Sequence, residues 1–325
     1  MGINVDVTHL RQFITMIISL TDIDTIKKLL KDNDLPALKK FGQNFLVDKS
    51  ILEKIIESAQ LKKDALVLEI GPGLGVLTKE LAKQCEQVIA IEKDKRIIGL
   101  LKQNLMGFNN VEIIEADALK FDWCRCQTST LCRCLTSTAR DTRTSLEDSS
   151  FETRPHQRGR ASLMTGNYKI VANLPYNIAL PVIRKFIEAK NPPEEMILML
   201  QKEVAEKLCS EKGSLPKIAV EFYAKTEFLF KVPKIAFYPE PKVDGAVIKI
   251  KNIQENLPDV DKKLFFKILK IGFSYPRKTI LNNLSKIKEK QDTEIWLDKA
   301  GVDSKKRPEN LTLFDWVKLC NGFQK

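Results

Sequence analysis

The 325-residue sequence has no apolar stretch long enough to cross a membrane. The longest candidate, Phe13–Leu20, is shorter than the ~18 apolar residues that a spanning helix needs. It also lacks a basic leader and a small-residue cleavage site. The seven cysteines are an odd number without an even disulfide framework, which indicates reduced thiols. We therefore expect a cytoplasmic protein without a membrane partner.

Two common phosphate-binding signatures are also absent. The sequence contains neither G-x-x-x-x-G-K-[ST] nor the dinucleotide pattern G-x-G-x-x-G. Positive charge, in contrast, is in excess, because 53 basic and 42 acidic residues give a net charge of +11. This excess favours a polyanionic partner, although a solvated basic surface would explain it as well. A hydrophobic content of 43% excludes a wholly disordered chain.

Residues 124–166 differ in composition from the rest of the chain. They hold seven of the twelve arginines and no lysine, and they begin with a tandem repeat, CRCQTSTL followed by CRCLTSTA. Because the segment lacks apolar periodicity, we interpret it as a low-complexity insertion in a surface loop. Its cysteines could hold zinc, but their C-x-C spacing is tighter than usual and the repeat explains them, so we expect no metal. They are Cys124, Cys126, Cys132 and Cys134.

Outside this insertion, short apolar runs alternate with helical patterns. The first five runs predict strands at Ala65–Ile70, Gln87–Glu92, Val111–Ala116, Lys169–Asn173 and Met196–Leu200. Such alternation indicates βαβ units and an α/β fold with a mostly parallel sheet. Two later runs, Val220–Phe230 and Val243–Lys251, have little helix between them and predict an antiparallel pair.

We divide the chain into three parts. Residues 1–38 predict an N-terminal helical extension, and residues 39–252 predict a Rossmann-like domain that carries the insertion. Residues 253–325 predict a small C-terminal domain that is entirely helical. Its predicted helices are Leu264–Ile271, Lys278–Ile287, Thr293–Ala300 and Leu313–Asn321.

A glycine turn, Glu69–Gly75 (EIGPGLG), follows the first predicted strand. Its glycines let the backbone approach a ligand, although a tight strand–helix connection explains them equally well. Glu92 ends the second strand and can accept both hydroxyls of a ribose, and Asp117 follows the third strand and can accept an adenine amine. Together these residues predict an adenosine pocket without a phosphate cradle, and S-adenosyl-L-methionine fits that description.

A second motif, Asn173–Tyr176 (NLPY), follows the fourth predicted strand. The N6 amine of adenine is a poor nucleophile because its lone pair is delocalised into the ring. The side-chain oxygen of Asn173 and the carbonyl of Leu174 can accept its hydrogens and favour a more tetrahedral nitrogen. Pro175 stiffens the turn, and Tyr176 can stack on the base. An ordinary strand exit would also use such a turn.

From Lys39 to about Asn321, apart from the insertion, the sequence resembles the KsgA-type small-subunit rRNA adenine N6,N6-dimethyltransferases. The matching strings are FGQNFL, EIGPGLG, NLPYNI, LQKEV, FYPEPKV, RKTI and RPENL. The resemblance implies a Rossmann-like methyltransferase fold that uses S-adenosyl-L-methionine. It also implies dimethylation of two adjacent adenosines in the 3′-terminal hairpin of small-subunit rRNA, coupled to biogenesis of the small ribosomal subunit.

The resemblance further implies roles for individual residues. The catalytic site would consist of Asn173, Leu174, Pro175, Tyr176 and Phe237, the two aromatic rings sandwiching a flipped adenine. The methyl donor would be bound by Gln43, Asn44, Leu46, Gly71, Gly73, Glu92, Lys93, Asp117, Ala118 and Asn173. The RNA backbone would be bound by Arg277, Lys278, Lys305, Lys306 and Arg307, unless these form only a solvated surface. We expect a monomer that acts on small-subunit rRNA or the immature small subunit.

Two alternatives remain at this stage. One is an Erm-type enzyme with the same chemistry on large-subunit rRNA, against which the C-terminal strings RKT and RPENL argue. The other is a ribosome-assembly or nucleic-acid-binding factor without catalysis, against which the intact EIGPGLG and NLPY argue. The sequence departs from the family at Gly245, where serine is usual, and at Ser214–Ala219, which replaces a Y-G-x-L-S run.

Overall fold

The computed structural model describes residues 20–35, 44–121 and 168–323. The predicted insertion with its four cysteines, Gln43 and most of the N-terminal extension lie outside these residues. Within residues 20–35 the extension forms one helix, α1 (Ile23–Asp32), whose buried Ile26 and Leu30 pack in one apolar cluster with Phe45 and Ile97.

Nine strands and ten further helices follow in the described residues. The strands are β1 (Phe45–Leu46), β2 (Leu66–Ile70), β3 (Gln87–Glu92), β4 (Val111–Glu115), β5 (Tyr168–Asn173), β6 (Glu195–Gln201), β7 (Lys225–Val232), β8 (Phe237–Tyr238) and β9 (Gly245–Lys251). The first helices are α2 (Lys49–Ala59), α3 (Val76–Gln84), α4 (Lys95–Asn104), α5 (Ala179–Ile187), α6 (Lys202–Cys209) and α7 (Leu215–Glu221). The last are α8 (Lys262–Gly272), α9 (Ile280–Leu284), α10 (Lys290–Lys299) and α11 (Leu313–Asn321).

Seven strands form the main sheet in the order β4-β3-β2-β5-β6-β9-β7. Strands β2 to β6 are parallel, and β9 is antiparallel to both β6 and β7. The α/β class, the mostly parallel sheet and the antiparallel closing pair are thereby confirmed. The chain leaves β2 towards β3 and β4 and then returns to the other side of β2 as β5. Parallel sheets bind ligands in the crevice at such a switch point.

The central strands are apolar because helices cover both faces of the sheet. All five residues of β2 are buried. Leu68 and Ile70 belong to one apolar cluster, whereas Val67 faces a second cluster with residues of α2 and α3. Burial on both faces produces continuous rather than alternating apolar runs. Several helices in turn begin at aspartate caps, since Asp48 and Asp94 each accept backbone N–H groups of the first turn.

One predicted strand is partly wrong. Residues 220–230 form the end of α7, a turn and only then β7. Ser214 caps α7 by accepting from the Lys217 amide, and a proline in the first turn is compatible with a helix start. Ile218 and Val220 are therefore buried from a helix rather than from a strand. A short apolar run does not distinguish these two structures by periodicity.

The helices after residue 261 pack on the same apolar cluster as one face of the sheet. The ring of Phe222 lies 4.6 Å from that of Phe265, centroid to centroid. In α8, a Cβ atom on Gly272 would lie 2.3 Å from the ring of Trp316, so only glycine allows this close helix packing. The predicted helical character of this region agrees with the structure, and the domain boundary near residue 253 stays a prediction. No helix of the described part is both long and apolar enough to cross a membrane.

Candidate active site

A cavity of about 270 Å³ lies at the carboxyl ends of the parallel strands, between the glycine turn and the NLPY turn. Most of the residues that the sequence assigned to the site line this cavity. They are Asn44, Leu46, Gly71, Gly73, Glu92, Lys93, Asp117, Ala118, Asn173 and Pro175. Leu174, Tyr176 and Phe237 are not among its lining residues. Strands distant in sequence thus bring the two motifs to one place.

The glycine turn requires glycine for two physical reasons. Gly71 and Gly73 have φ values of +70° and +58°, a conformation that L side chains rarely adopt. In addition, a Cβ atom on Gly73 would lie 3.2 Å from Cε1 of Phe45, which itself lines the cavity. The turn is fixed from the next strand, because the Gly71 amide donates to the Ile91 carbonyl at 2.9 Å.

Glu92 is buried and held by three backbone amides. Its Oε1 accepts from the amides of Lys93 and Asp94, each at 2.8 Å, and its Oε2 accepts from the Gly73 amide at 3.2 Å. Burial raises the pKa of this carboxyl, while the three amides act in the opposite direction. The carboxyl is thereby oriented at the cavity wall, where a diol could be recognised.

Asp117 also lines the cavity and is more exposed than Glu92. Its carboxylate accepts from Nζ of Lys93 at 2.9 Å and from the Leu119 amide at 3.0 Å. The hydrogen bond from Lys93 is the main cause of a lowered pKa, so Asp117 is ionised and acts as an acceptor. An acceptor at this place suits an exocyclic amine of a bound base.

Glu69 also lines the cavity, although from the sequence we assigned it no role beyond the first position of the glycine turn. Its side chain is 2% exposed, and its Oε2 has no hydrogen-bond partner among the described residues. Burial raises the pKa of Glu69 to about 8. Because this buried carboxyl lines the cavity and lacks a full set of partners, it is placed to contact a ligand bound there. The only signal in the sequence was an acidic residue inside an otherwise apolar strand.

The NLPY turn contacts both the glycine turn and the segment before β1. The side-chain amide of Asn173 donates to the Asn44 carbonyl at 3.3 Å, which uses the NH₂ end of the amide. The Leu174 amide donates to the Met199 carbonyl at 3.1 Å, and the Leu174 side chain is buried. Cδ of Pro175 lies 3.5 Å from the position of a Cβ atom on Gly71. The ring of Pro175 therefore lies beside the glycine turn, at the distance where a side chain on Gly71 would touch it.

The two aromatic residues assigned to the target base lie outside the cavity lining. Tyr176 is half-buried, and burial raises the pKa of its hydroxyl. Phe237 is 3% exposed, in a strand whose register pairs it with Leu46 of β1. A Cβ atom on Gly245 would lie 3.5 Å from Cζ of Phe237, so the departure at Gly245 adjoins this ring. The sandwich of a flipped adenine stays a prediction.

The five predicted RNA-binding cations lie on two loops that contact each other. The Ile280 amide donates to the Lys306 carbonyl at 2.7 Å, which ties the loop of Lys305–Arg307 to the loop of Arg277 and Lys278. All five side chains are exposed, and none forms an ion pair within the part of the chain that the structure describes. The structure thus brings together cations that lie almost 30 positions apart in sequence.

A buried asparagine that the sequence did not reveal shapes one of these loops. The side chain of Asn283 is fully buried, accepts from the Tyr275 amide at 3.0 Å and donates to the Tyr275 and Thr279 carbonyls, each at 3.1 Å. Tyr275 itself is 56% exposed, and Nζ of Lys286 lies 3.8 Å from the centre of its ring. An exposed aromatic ring among cations is a surface on which a base can stack.

Metal chemistry finds no support in the described ranges. They contain no group of three or more histidine, cysteine, aspartate or glutamate side chains placed to hold a metal ion. Three of the seven cysteines, Cys85, Cys209 and Cys320, lie there and form no disulfide. The four cysteines of the predicted insertion lie outside.

The fold and the cavity together define the class of the protein. A parallel sheet with a glycine turn at its switch point, and the carboxyl groups of Glu92 and Asp117 in the cavity beside it, is the arrangement of a Rossmann-like, S-adenosylmethionine-dependent methyltransferase. The family model for ribosomal RNA adenine dimethylase matches residues 36–325, and the chain belongs to that family.

Relatives and solved structures agree with this membership. The chain is 37% identical over 303 residues to the ribosomal RNA small subunit methyltransferase A of Dehalococcoides mccartyi, which covers 90% of this chain and 91% of that protein. It is 36% identical to the protein of the same name from Listeria monocytogenes, with coverages of 90% and 93%. The structure of a dimethyladenosine transferase from Plasmodium falciparum superposes with a TM-score of 0.61 at 27% identity, over 84% of this chain and 94% of that chain. The structure of the 23S rRNA methyltransferase ErmE superposes with a TM-score of 0.60 at 25% identity, over 86% of this chain and 99% of that chain.

Proposed function

We propose that the protein transfers methyl groups from S-adenosyl-L-methionine to N6 of two adjacent adenosines in the 3′-terminal hairpin loop of small-subunit rRNA. The observation that carries the proposal is that residues of the glycine turn and of the NLPY turn line one cavity. The residues that we propose to bind the donor and Asn173, which we propose to accept a hydrogen of the target amine, are among them. The names of the relatives that are 36–37% identical support the small subunit as the source of the RNA.

The residues present fit the proposed donor, which supplies an electrophilic methyl group on a sulfonium when bound. Glu92, fixed by three amides, would accept the ribose hydroxyls, and the ionised Asp117 would accept the adenine amine. Glu69 lines the same cavity, and the positive charge of the donor would lower the raised pKa of its buried carboxyl and favour its ionisation. No phosphate cradle is needed for such a ligand.

The target adenine would be activated by acceptors at the NLPY turn. Asn173 uses its NH₂ end on the Asn44 carbonyl, and its Oδ1 is the acceptor that the chemistry requires. The Leu174 carbonyl would supply the second acceptor, while contact with the glycine turn restrains Pro175. Tyr176 and Phe237 would stack on the flipped base. No strong base is required, because the proton leaves from a cationic product after methyl transfer.

The exposed loops of the C-terminal helices would bind the RNA backbone. Arg277, Lys278 and Lys305–Arg307 form one basic surface, and their contacts with phosphates would weaken as salt increases. We propose that a monomer acts in this way on the immature small ribosomal subunit, in the cytoplasm.

An enzyme acting on large-subunit rRNA is the alternative function. The names of the relatives that are 36–37% identical do not favour it, although the ErmE structure superposes with a TM-score of 0.60. The deciding experiment measures methyl transfer from labelled donor to small subunits lacking the modification and, in parallel, to naked large-subunit rRNA. We expect N6,N6-dimethyladenosine in the small-subunit RNA only. Label in the large-subunit RNA would transfer the assignment to the Erm type. Donor binding without label in either RNA would favour a non-catalytic factor.

A further inference from the structure

The wall of the cavity that contains Asp117 is a single turn. The amides of Lys120 and Phe121 both donate to the Asp117 carbonyl, at 2.9 and 2.8 Å, and Ala118 and Leu119 line the cavity from this turn. In sequence, the turn directly precedes the segment predicted to be an insertion. A hydrogen bond from another element of the fold would therefore restrain the turn at this position.

Lys185 of α5 supplies such an anchor. Its Nζ donates to the carbonyls of Ala118 at 2.8 Å, of Leu119 at 3.1 Å and of Phe121. An ammonium group has three N–H donors, which matches the three carbonyls of this turn. Hydrogen bonds from a charged donor are about twice as strong as neutral ones. The lysine spans more than 60 positions of sequence to reach the turn.

The base of this anchor is rigid. On either side of Lys185 in α5, Ile183 and Phe186 are buried in the main apolar cluster. A lysine that projects from a packed helix loses less freedom on binding than one from a mobile segment. Lys93 differs in kind, because it binds the Asp117 carboxylate rather than the main chain and is largely exposed. Lys93 therefore affects the charge of Asp117, whereas Lys185 acts on its position.

We propose that Lys185 is a positioning residue for the methyl donor: it fixes the Asp117–Phe121 turn so that Asp117 meets the adenine, and it thereby sets the affinity for the adenosine half of the donor. This inference rests on the proposed placement of the donor adenine at Asp117. It assigns a binding role to a side chain that does not itself line the cavity.

The test compares Lys185→Met with Lys169→Met in the full-length protein. Lys169 is a matched control, because it is also a half-buried lysine that donates to a carbonyl, that of Ala59 at 3.1 Å, but on a part of the fold away from the cavity. The ligands are S-adenosylhomocysteine and 5′-methylthioadenosine, which lacks the amino-acid half. Calorimetry gives Kd for each, and thermal melting verifies folding.

We expect Lys185→Met to weaken both ligands by the same factor, about tenfold, and Lys185→Arg to restore part of the affinity. Lys169→Met is expected to leave both Kd values within about twofold of wild type. Unchanged Kd values in a folded Lys185→Met protein would refute the proposal, as would equal weakening by Lys169→Met. Failure of the wild type to bind S-adenosylhomocysteine would instead refute the proposed donor site.

A second measurement covers the case in which Lys185→Met does not fold. Lys185→Gln keeps a donor for one carbonyl, and hydrogen exchange at the amides of Lys120 and Phe121 reports the order of the turn directly. We expect faster exchange at these two amides in Lys185→Gln, and partial protection from added S-adenosylhomocysteine. Exchange as slow as in the wild type would overturn the proposal.

Discussion

Two regions of the protein are built by different means. The proposed donor side is the cavity beside the glycine turn, and the proposed RNA side consists of the loops that carry Arg277, Lys278 and Lys305–Arg307. On the donor side, main-chain groups fix the functional atoms: three amides hold Glu92, and two glycines with positive φ shape the turn. On the RNA side, exposed cations extend from loops, and Asn283 holds one loop from beneath. A rigid, buried site recognises one small ligand, whereas an exposed basic surface fits a large polyanion. Substitutions on the two sides should therefore differ in kind as well as in size.

The largest expected effect is on methyl transfer, at Asn173, where the proposed donor site and the proposed target site meet. Asn173→Ala removes the proposed side-chain acceptor for the target amine but leaves the donor walls in place. We expect methyl transfer to fall by at least ~10²–10³-fold, as when a transition-state hydrogen bond is removed from other enzymes. Single-turnover assays with excess enzyme provide the measurement.

Donor affinity is the control for this variant. Calorimetric titration with S-adenosylhomocysteine should give a Kd within a few-fold of wild type. Near-wild-type turnover of Asn173→Ala would show that another group activates the amine. Loss of donor affinity in this variant would show that Asn173 acts in donor binding rather than on the target amine.

The next effect tests how strictly the backbone builds the donor side. Gly73→Ala and Gly107→Ala both place a side chain at positive φ, +58° and +99°. Each should cost about 1–2 kcal/mol of stability for that reason. Only the Cβ atom at position 73 meets a neighbour, Phe45 at 3.2 Å, whereas none lies within 4 Å at position 107.

We therefore expect Gly73→Ala to weaken S-adenosylhomocysteine by about tenfold or more, and Gly107→Ala to leave its Kd unchanged. Fluorescence or calorimetric titration of the two variants, with melting curves, separates strain from obstruction. Equal Kd values for the two variants would mean that the turn tolerates a side chain and that the backbone geometry is less decisive than inferred.

A third effect concerns stability rather than activity, and it is the pH dependence caused by Glu69. Its pKa is raised from 4.5 to about 8 in the folded protein. Between these values the folded state keeps a proton that the unfolded state has lost, so stability falls as pH rises from 4.5 to 8. A single proton gives a slope of up to ~1.4 kcal/mol per pH unit.

Glu69→Gln should remove this decline. We expect the free energy of unfolding, from urea titrations between pH 5 and 8, to fall more in the wild type than in Glu69→Gln. The comparison isolates Glu69 from Glu92, whose raised pKa contributes to both proteins. Parallel pH profiles for the two proteins would show that Glu69 is already ionised without a ligand.

The same contrast explains what could be predicted from the sequence. The strands and the meeting of the glycine turn, Glu92, Asp117 and Asn173 at one cavity were predictable, because buried parallel strands give continuous apolar runs and their carboxyl ends meet at one edge. Helix α7 was not predictable, because its short apolar run fits a strand as well as a helix, and the cap at Ser214 favours the helix. Asn283 and Lys185 were missed because they act on main-chain carbonyls brought together only by the fold. Such contacts leave no periodic or motif signal.

The smallest effects belong to the RNA side, where five cations share one surface. Arg277→Gln removes one exposed charge from it, and Lys299→Gln removes an exposed charge from the last turn of α10. Each phosphate contact contributes about 0.7–0.9 to the slope of log K against log salt concentration. We expect Arg277→Gln to weaken binding to small-subunit rRNA a few-fold and to reduce that slope by about 1. Because the donor side does not depend on these loops, Kd for S-adenosylhomocysteine should be unchanged. If Lys299→Gln reduces the slope equally, the positive charge of the helices acts as a whole, and the two loops are not a defined RNA-binding surface.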